Sequence, residues 1–317
     1  MNIAVVMGGH ASEHEVSLNS GQTAVDALKD SDWVSRLVIS KNLRVWEIDG
    51  QQFSPSDALK KLKHSAEVCL LMLHGPFGED GQIQAVLETI ELPYTGSGMR
   101  ASVLANDKLA SNLIFEHAGL KVPDFIYFHR DDAQAKQAEI EKLDYPLVIK
   151  PVLGGSSVDI AIAKNWPEVK KCLKTEGFSE FLAQKFIYGT EVTCGVIDTG
   201  GQPQALDLIE IVPPKGSFFD YDAKYTAGAS QEILPARVSD EATKEVQAAA
   251  VTAHAVLGCM GITRSDFIIN GDGAWILEIN TAPGMTDISL VPQELKAAGR
   301  NLGETFQELC QQGITRA

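Results

Sequence analysis

Short apolar runs alternate with amphipathic stretches along the first third of the chain. Residues 3–7 are all apolar and lead into Gly8-Gly9, which is typical of a buried parallel strand that ends in a ligand-facing turn. Ser12 and Glu15 then have the spacing of a capping box, so a helix is expected to begin there. The same alternation predicts strands at 33–39, 43–48 and 68–73 and a helix at 56–64. Residues 1–98 are therefore predicted to form a doubly wound α/β domain with a parallel sheet.

Two more units are expected after residue 98, at 99–190 and 191–317. A helix start is predicted at Asp107-Lys108, and an apolar strand at 145–149 ends in Lys150. Ser239 has the position of an N-cap for a helix that extends to residue 257, and a last helix is expected at 303–311. Residues 215–231 are polar, contain aromatic residues and lack clear periodicity, which indicates a loop that covers a site.

The segment 264–289 contains the densest set of chemically useful side chains. Two apolar runs flank Asn270-Gly271-Asp272-Gly273, which predicts an antiparallel hairpin. If residues 271–273 form the loop, the expected pairs are Asn270 with Ala274, Ile268 with Ile276, Asp266 with Glu278, and Arg264 with Asn280. The polar side chains of the last two pairs then share one face of the hairpin.

Asp266 and Glu278 are thus predicted to face each other, and two facing carboxylates repel unless a divalent cation or a shared proton lies between them. The nearby Asn280 favours the cation over the shared proton, because its amide oxygen can serve as a further ligand. Two carboxylates and an amide oxygen form a hard, all-oxygen set that suits Mg2+, with Mn2+ as an alternative, and waters and phosphate oxygens usually complete such a site. For these three residues alone, the competing interpretation is a solvated hairpin face.

A phosphate site is expected where Lys150-Pro151 runs into Gly154-Gly155-Ser156-Ser157, because the N–H groups and hydroxyls of such a loop can cradle phosphate. It is not a Walker A loop, since no Gly-Lys-Ser/Thr triplet occurs. Gly8-Gly9 likewise lacks the G-x-G-x-x-G spacing of a dinucleotide fold. Nucleophilic catalysis by Ser156 is disfavoured, because no matched histidine base or nucleophile elbow surrounds it.

Ligands of the amino-terminal unit are expected at the carboxyl ends of its strands, where residues 8–13 and 74–81 lie. Glu13 is the candidate that binds a substrate ammonium group, and Glu15 is the alternative. His74 is a candidate substrate contact, and its alternative role is to satisfy loop carbonyls.

Composition excludes several classes of protein. The formal net charge of −15 argues against a nucleic-acid binder, whose affinity comes largely from clustered Lys and Arg. Five widely spaced cysteines without a Cys-x-x-Cys pair indicate reduced core residues in a cytoplasmic protein. The amino terminus does not have the pattern of a signal peptide, and no segment approaches the roughly 18 apolar residues of a membrane span, so no membrane partner is expected.

Several of these motifs together resemble the D-alanine–D-alanine ligases, which are members of the ATP-grasp family. The matching segments occur in the right order along nearly the whole chain and are Gly8-Gly9 with Ser17-Leu18-Asn19-Ser20, residues 74–81, Asp107-Lys108, Lys150-Pro151 with Gly155-Ser156-Ser157, Ala223-Lys224-Tyr225, and residues 278–286. The resemblance implies an ATP-grasp fold, with α+β character in the ATP-binding part, that follows the amino-terminal α/β domain. It also implies ATP-dependent ligation of two D-alanine molecules for peptidoglycan precursor synthesis.

The resemblance assigns roles in binding ATP and metal. The implied ATP contacts are Lys108, Lys150, Gly155, Ser157, Gln184, Lys185, Phe186, Ile187, Glu191 and Lys224, and the implied metal ligands are Asp266, Glu278 and Asn280. Two positions depart from the family pattern. Gln184 replaces a usually acidic hinge residue, and Asp159 replaces a glycine after Ser-Ser-Val.

On the amino-acid side, the resemblance implies that Glu13 contacts the amino group of the first D-alanine and that His74 lies in the same subsite. Tyr225 would join Glu13 and Ser156 in a hydrogen-bonded group that closes the lid. The second amine would attack a D-alanyl phosphate, and the implied oxyanion donors and second-subsite residues are Arg264, the N–H of Gly284, Ser289 and Leu290.

The alternatives differ in substrate or in class. One is a D-alanine–D-lactate or D-alanine–D-serine ligase, and Tyr225 disfavours the lactate enzyme because lactate-using relatives generally alter that lid residue. The other is a non-catalytic nucleotide or amino-acid sensor, which the intact set of Arg264, Asp266, Glu278 and Asn280 disfavours. The family is commonly dimeric through its amino-terminal unit, so a homodimer is expected.

Overall fold

The computed structural model describes residues 1–28, 33–154, 160–212 and 231–316. The first sheet and its helices are β1 (Asn2–Gly8), α1 (His14–Leu28), β2 (Trp33–Ile39), β3 (Trp46–Ile48), β4 (Gln51–Phe53), α2 (Pro55–Ser65), β5 (Val68–Leu71) and α3 (Gln82–Thr89). The strand order is β4-β3-β2-β1-β5, and β1 runs parallel to both β2 and β5. The predicted parallel centre is confirmed, and β3 and β4 add an antiparallel edge.

Two local details differ from the sequence prediction. The strand expected at 43–48 begins only at Trp46, because Leu43 lies in a turn with a φ of 58°. The capping box of Ser12 and Glu15 is not formed: the Ser12 hydroxyl donates to Glu13, and the exposed Glu15 pairs with Lys41. The glutamate that sequence spacing assigned to the helix start is thus a surface residue.

A four-stranded antiparallel sheet follows two helices. These elements are α4 (Met99–Asn106), α5 (Lys108–His117), β6 (Phe125–His129), α6 (Ala133–Ile140), β7 (Leu147–Pro151), β8 (Ala161–Ala163), α7 (Trp166–Cys172) and β9 (Glu180–Lys185), with short 3-10 turns at Arg130–Asp132 and Glu141–Leu143. The strand order is β6-β9-β7-β8. The predicted helix start is confirmed, since Asp107 caps α5 by accepting from the N–H groups of Leu109 and Ala110.

The third sheet is antiparallel and carries the hairpin. Its elements are β10 (Thr190–Asp198), β11 (Gln204–Ala205), β12 (Ile209–Val212), β13 (Gln231–Ile233), α8 (Asp240–Leu257), β14 (Gly261–Asn270), β15 (Gly273–Asn280), α9 (Leu290–Ala297) and α10 (Leu302–Arg316). The order is β13-β12-β10-β14-β15, and β11 also pairs with β10. Ser239 caps α8 as predicted.

Apolar contacts join the parts of the chain. Ile3 and Leu70 of the first sheet share a buried cluster with Phe306 and Leu309 of α10, so the carboxyl-terminal helix packs on the amino-terminal unit. The boundaries at 98/99 and 190/191 stay predictions. In the described part of the chain no helix is long and apolar enough to cross a membrane. All five cysteines are free, and four of them are buried.

Candidate active site

Two cavities meet beside the hairpin β14–β15. The larger, which we call the large cleft, lies between the four-stranded and six-stranded sheets and encloses about 1410 Å³ including its open mouth. Its lining includes the apolar residues Val148, Ile160, Ile211, Ile268 and Leu277 and the predicted site residues Lys150, Gln184, Lys185, Phe186, Ile187, Glu191, Asp266 and Glu278. All predicted hinge residues therefore reach one cleft.

The smaller cavity, which we call the small pocket, encloses about 750 Å³ including its mouth. It brings together predicted residues from distant parts of the chain, namely Glu13, His74, Lys108, Arg264, Glu278, Asn280 and the backbone of Gly284. Glu278 lines both cavities. A ligand in each would therefore meet the other at the carboxylate end of the hairpin.

The hairpin has the predicted register at its functional end but not at its tip. The pairs of Asp266 with Glu278 and of Arg264 with Asn280 are confirmed. Near the turn the prediction is wrong, since Asn270 pairs with Gly273 and Ile268 pairs with Trp275. The register changes between Asp266 and Phe267, where Leu277 is left unpaired as a β-bulge. The bulge offsets the shorter loop, and the two carboxylates face each other as expected.

Asp266 is held by two partners. Arg264 donates to both carboxylate oxygens, from Nε to Oδ1 at 3.0 Å and from Nη2 to Oδ2 at 2.9 Å. Thr193, the residue paired with Asp266 on β10, donates its hydroxyl to Oδ1 at 2.6 Å. A two-point guanidinium contact and a buried hydroxyl fix the orientation of the carboxylate. The sequence analysis missed Thr193, because only the pairing of β10 with β14 brings it to Asp266.

The donor set at this end of the hairpin fits a hard divalent cation. A carboxylate has about four lone-pair positions, and Arg264 and Thr193 together donate three hydrogen bonds to Asp266. The Asn280 Oδ1 accepts from the Ala282 N–H at 2.8 Å, which uses one of its two lone pairs. Within the described residues no group of three or more His, Cys, Asp or Glu side chains could hold a metal. The protein set is therefore partial, as in magnesium sites that phosphate oxygens and waters complete.

Two lysines converge near the predicted phosphate loop. Lys150 is buried in β7, and its Nζ lies 3.5 Å from the carbonyl oxygen of Leu277, the bulge residue. Burial lowers the pKa of Lys150 to about 8, although Glu278 nearby acts in the opposite direction. The Lys108 Nζ donates to the carbonyl of Gly154. Both ammonium groups could therefore meet an anion that spans the two cavities.

His74 is fixed in one neutral tautomer. Its Nδ1 lies 2.9 Å from the carbonyl oxygen of Ala282, which can only accept, so Nδ1 carries the proton. Its Nε2 then accepts from the Ser20 hydroxyl at 2.8 Å, and Ser20 accepts in turn from the N–H of Met285 at 3.2 Å. Burial lowers the pKa of His74 to about 4. His74 lines the small pocket, but both ring nitrogens hold the segment around Gly284.

Glu79 is a pocket residue to which the sequence analysis gave no role, although it lies in a matching motif. It lines the small pocket with Glu13 and Glu278. Loss of water around it raises the pKa of Glu79 to about 7; the carboxylates of Glu13 and Glu278 add to this, and Arg264 and a backbone hydrogen bond at Gly75 oppose it. The carboxylates of Glu13, Glu79 and Glu278 are brought close together only by the fold, so the spacing of these residues in the sequence could not reveal their proximity.

The raised pKa of Glu79 predicts a pH dependence of stability. The folded protein holds the proton up to about pH 7, whereas an unfolded glutamate releases it near 4.5. Glu79 therefore stabilises the fold fully below pH 4.5, and this contribution is lost as the pH rises towards 7. Glu79→Gln mimics the protonated acid, so without metal or ligand its free energy of unfolding at pH 8 should exceed that of the parent protein by at most about 3 kcal/mol. Its Tm at this pH should therefore be higher.

The Tm difference between the two proteins should shrink to zero towards pH 4.5. The exposed Glu176 gives the matched control, and Glu176→Gln should follow the parent protein at every pH. A Glu79→Gln protein that is less stable than the parent at pH 8 would contradict the raised pKa.

Some of the predicted site residues line neither cavity, and others lie outside the described residues. Ser289 and Leu290 do not line either cavity as described; the Ser289 Oγ lies 2.7 Å from Thr286 Oγ1 and accepts from the Thr286 N–H at 3.1 Å. A Cβ on Gly284 would lie 2.9 Å from the same oxygen. Ser289 thus supports the turn that carries Gly284. Outside the described residues lie Gly155, Ser156, Ser157, Asp159, Lys224 and Tyr225.

Two family models match the chain. The model described as "D-ala D-ala ligase C-terminus" matches residues 114–312, and "D-ala D-ala ligase N-terminus" matches residues 47–97. A curated D-alanine–D-alanine ligase of Desulforudis audaxviator is 38% identical over 311 residues, which cover 97% of this chain and 96% of that protein.

Solved structures are similar along the same length. The D-alanine–D-alanine ligase of Bacillus anthracis complexed with ATP is 31% identical, with a TM-score of 0.82 over 100% of this chain and 97% of the other. The VanG D-Ala:D-Ser ligase of Enterococcus faecalis is 29% identical, with a TM-score of 0.83 over 98% of both chains. Fold and full-length similarity agree, and this chain belongs to the D-alanine–D-alanine ligase family of the ATP-grasp fold.

Proposed function

We propose that this chain joins two D-alanine molecules at the expense of ATP, through a D-alanyl phosphate, and yields D-alanyl-D-alanine, ADP and phosphate for peptidoglycan precursor synthesis. The observation that carries the proposal is the meeting of a nucleotide-sized cleft and an acid-lined and arginine-lined pocket at Glu278. Such a junction allows a γ-phosphate and an amino-acid carboxylate to approach each other. We expect the protein to act in the cytoplasm as a homodimer.

ATP binds in the large cleft in this proposal. Its adenine lies between the apolar walls and the hinge backbone at 185–187, and Glu191 accepts from the ribose hydroxyls. Gln184 is buried and donates its Nε2 to the carbonyl of Pro123 at 3.3 Å. Because the amide nitrogen has this partner, the amide oxygen is the natural acceptor for the adenine amino group. Glutamine can therefore serve where the family usually has an acid.

In this proposal Asp266, Glu278 and Asn280 would hold Mg2+, which would neutralise charge on the transferring phosphate. Lys150 and Lys108 contact the phosphates from the other side. Approach of the phosphates would return Lys150 fully to its charged form, since a nearby anion opposes the lowering of its pKa by burial. Two lysines of the chain and the metal would thus surround the triphosphate with positive charge.

The first D-alanine binds in the small pocket. The Glu13 carboxylate is buried and fixed by the Ser12 hydroxyl at 2.7 Å, and it accepts from the ammonium group of the substrate. A carboxylate oxygen of the same D-alanine attacks the γ-phosphorus, the bond to the β-γ bridging oxygen breaks, and ADP leaves. The product of this step is the mixed anhydride D-alanyl phosphate.

The second D-alanine supplies the amine. Its neutral amino group attacks the carbonyl carbon of D-alanyl phosphate, and the carbonyl oxygen becomes negatively charged. Arg264 and Gly284 both line the pocket, and in this proposal the guanidinium and the Gly284 N–H donate to that oxygen. The tetrahedral species then expels phosphate, which carries away one former carboxylate oxygen, and the amine loses its proton.

Ser20→Ala is expected to lower kcat about tenfold or more with little change in the KM for ATP. The substitution removes the shared partner of His74 Nε2 and the Met285 N–H, so the turn that carries Gly284 is no longer fixed. Steady-state kinetics measure both constants. Thr305→Val, which removes another buried hydroxyl from a residue that lines neither cavity, is the control and should keep the parental kcat. Unchanged turnover in Ser20→Ala would contradict this positioning role.

The test of the proposed function is ADP release with ATP and Mg2+ in the presence of D-alanine, L-alanine, or D-alanine mixed with D-lactate or D-serine, with product masses read from the same reactions. D-alanine alone should suffice and should yield the dipeptide mass. A mixed product in preference to the dipeptide would indicate a D-lactate or D-serine ligase. ATP binding without amino-acid-dependent ADP release would indicate a sensor.

A further inference from the structure

Glu294 is a buried carboxyl group that the proposed mechanism does not use. It lies on α9 and has 0% exposure. Its Oε1 accepts from the backbone N–H of Gly195 at 3.0 Å, and its Oε2 has no hydrogen-bond partner among the described residues. A carboxyl group with one partner is costly to bury, so its contact with Gly195 must be central to what it does.

Gly195 lies at a gap in the strand pairing of β10. On the edge away from β14, β12 pairs with 191–193 and β11 pairs with 196–197. The carbonyl of Gly195 accepts from the Leu206 N–H at 2.8 Å. Glu294 supplies the acceptor for the N–H of the same residue, so a side chain from α9 takes the place of a strand partner.

Gly195 and Glu294 are a matched pair. A Cβ on residue 195 would collide with the Glu294 Oε2 and would also lie 3.0 Å from the Leu206 side chain. The absence of a side chain at Gly195 therefore makes room for the carboxyl group. Replacement of either residue alone should disturb the contact.

This contact connects two parts of the proposed site. Gly195 is paired with Arg264 across β10 and β14. α9 begins directly after Ser289, which supports the turn that carries Gly284. Val291 and Leu295 of α9 pack in a buried cluster, and the Gln293 side chain donates to Glu232 of β13 at 2.7 Å in an exposed contact. Apolar packing holds the helix on the sheet but is non-directional, whereas the hydrogen bond of Glu294 fixes its position.

We propose that Glu294 is a positioning residue for the second amino acid: by accepting from the Gly195 N–H, it sets α9 and residues 284–290 relative to Arg264. The affinity for the D-alanine that supplies the amine depends on this placement. The inference rests on the proposed function, because it assigns the second substrate to that side of the small pocket.

The surroundings of the Glu294 carboxyl group favour its neutral form. Burial raises the pKa of Glu294 well above its ordinary value. The nearby carboxylates of Asp266 and Asp207 also raise this pKa, whereas the Gly195 N–H and the Arg264 guanidinium lower it. The Cys194 thiol is also close to Glu294. Glutamine has nearly the shape of a protonated glutamate and can also accept from Gly195, so it is the conservative replacement.

Three variants on α9 test the proposal in the full-length protein. Glu294→Leu fills similar space without an acceptor and should raise the KM for the second D-alanine about tenfold, with the KM values for ATP and the first D-alanine within about twofold. Glu294→Gln should retain parental constants. Lys296→Leu, on the exposed face of the same helix, is the control. An unchanged KM for the second D-alanine in Glu294→Leu, or an equal rise in all three constants, would overturn the proposal.

Hydrogen exchange provides a readout that does not depend on catalysis. Glu294→Leu should show faster exchange at residues 195 and 284–290 than the parent protein, and unchanged exchange there would overturn the proposal. If Glu294→Leu does not fold, Gly195→Ala and Gly195→Ala/Glu294→Ala take its place. The single variant should raise exchange at 284–290 through the collision, and the double variant should keep it raised, because the hydrogen bond that positions α9 is still absent. Parental exchange in the double variant would overturn the proposal. If the parent protein releases no ADP in a D-alanine-dependent way, the proposed function is contradicted. The role of Glu294 is decided separately, by hydrogen exchange at residues 284–290.

Discussion

Arg264→Ala is expected to lower kcat by about 10²- to 10³-fold while the Kd for ATP stays within about threefold. In the proposed mechanism the guanidinium donates to the oxyanion that forms when the second amine attacks, and one such donor is worth this factor in comparable sites. Arg264 lines the small pocket but not the large cleft, so ATP affinity should be nearly independent of it. Steady-state ADP release and equilibrium ATP titration measure the two quantities.

Arg264→Lys separates the positive charge of Arg264 from its two-point contact with Asp266. Lysine keeps the positive charge but cannot contact Asp266 through two parallel hydrogen bonds as arginine does. It should therefore recover only part of the lost kcat. Arg300→Ala removes an arginine that pairs with Glu308 and lines neither cavity, and it should retain parental kinetics. Parental turnover in Arg264→Ala would exclude the oxyanion role.

Glu278→Gln is expected to lower kcat at least about hundredfold and to shift half-saturation by Mg2+ to a concentration at least about tenfold higher. Glu278 faces Asp266 across the hairpin and lines both cavities, so its charge is placed between nucleotide and amino acid. Glutamine keeps the size but removes the negative charge that attracts a divalent cation. Binding of Mn2+ in the presence of ADP, followed by electron paramagnetic resonance, measures the metal site without turnover.

Asp272→Asn is the matched control for Glu278→Gln. It removes an acid from the exposed tip of the same hairpin, and it should change neither the metal titration nor kcat. If Glu278→Gln binds Mn2+ as tightly as the parent protein, Glu278 is not a ligand, and the hairpin acids must act in another way.

Local signals predicted the elements better than the pairings. The cap at Asp107, the cap at Ser239 and the hairpin at 264–280 are coded by neighbours in sequence, and all three occur. The loop of the hairpin was predicted one residue too long, because sequence spacing does not reveal a bulge at Leu277. The carboxylates face each other nonetheless, since the bulge restores the predicted register.

Contacts between distant segments could not be predicted in this way. Ser20 and Glu79 lie in segments that match the family, yet their partners, His74 with Met285 and Glu13 with Glu278, come from other elements of the fold. Glu294 has no sequence signal, because an acid at helical spacing on a short helix is usually exposed. Its role is evident only from the gap in the pairing along one edge of β10, where Glu294 accepts from the Gly195 N–H.

The central claim is that ATP activates the carboxylate of one D-alanine by phosphorylation, and the most direct test follows the oxygen atoms of that carboxylate. D-alanine labelled with 18O at both carboxylate oxygens is incubated with ATP, Mg2+ and the protein, and phosphate and dipeptide are analysed by mass spectrometry. Phosphorylation of the carboxylate should place one 18O in each phosphate and leave three in each dipeptide. Unlabelled phosphate, or label in AMP, would contradict it.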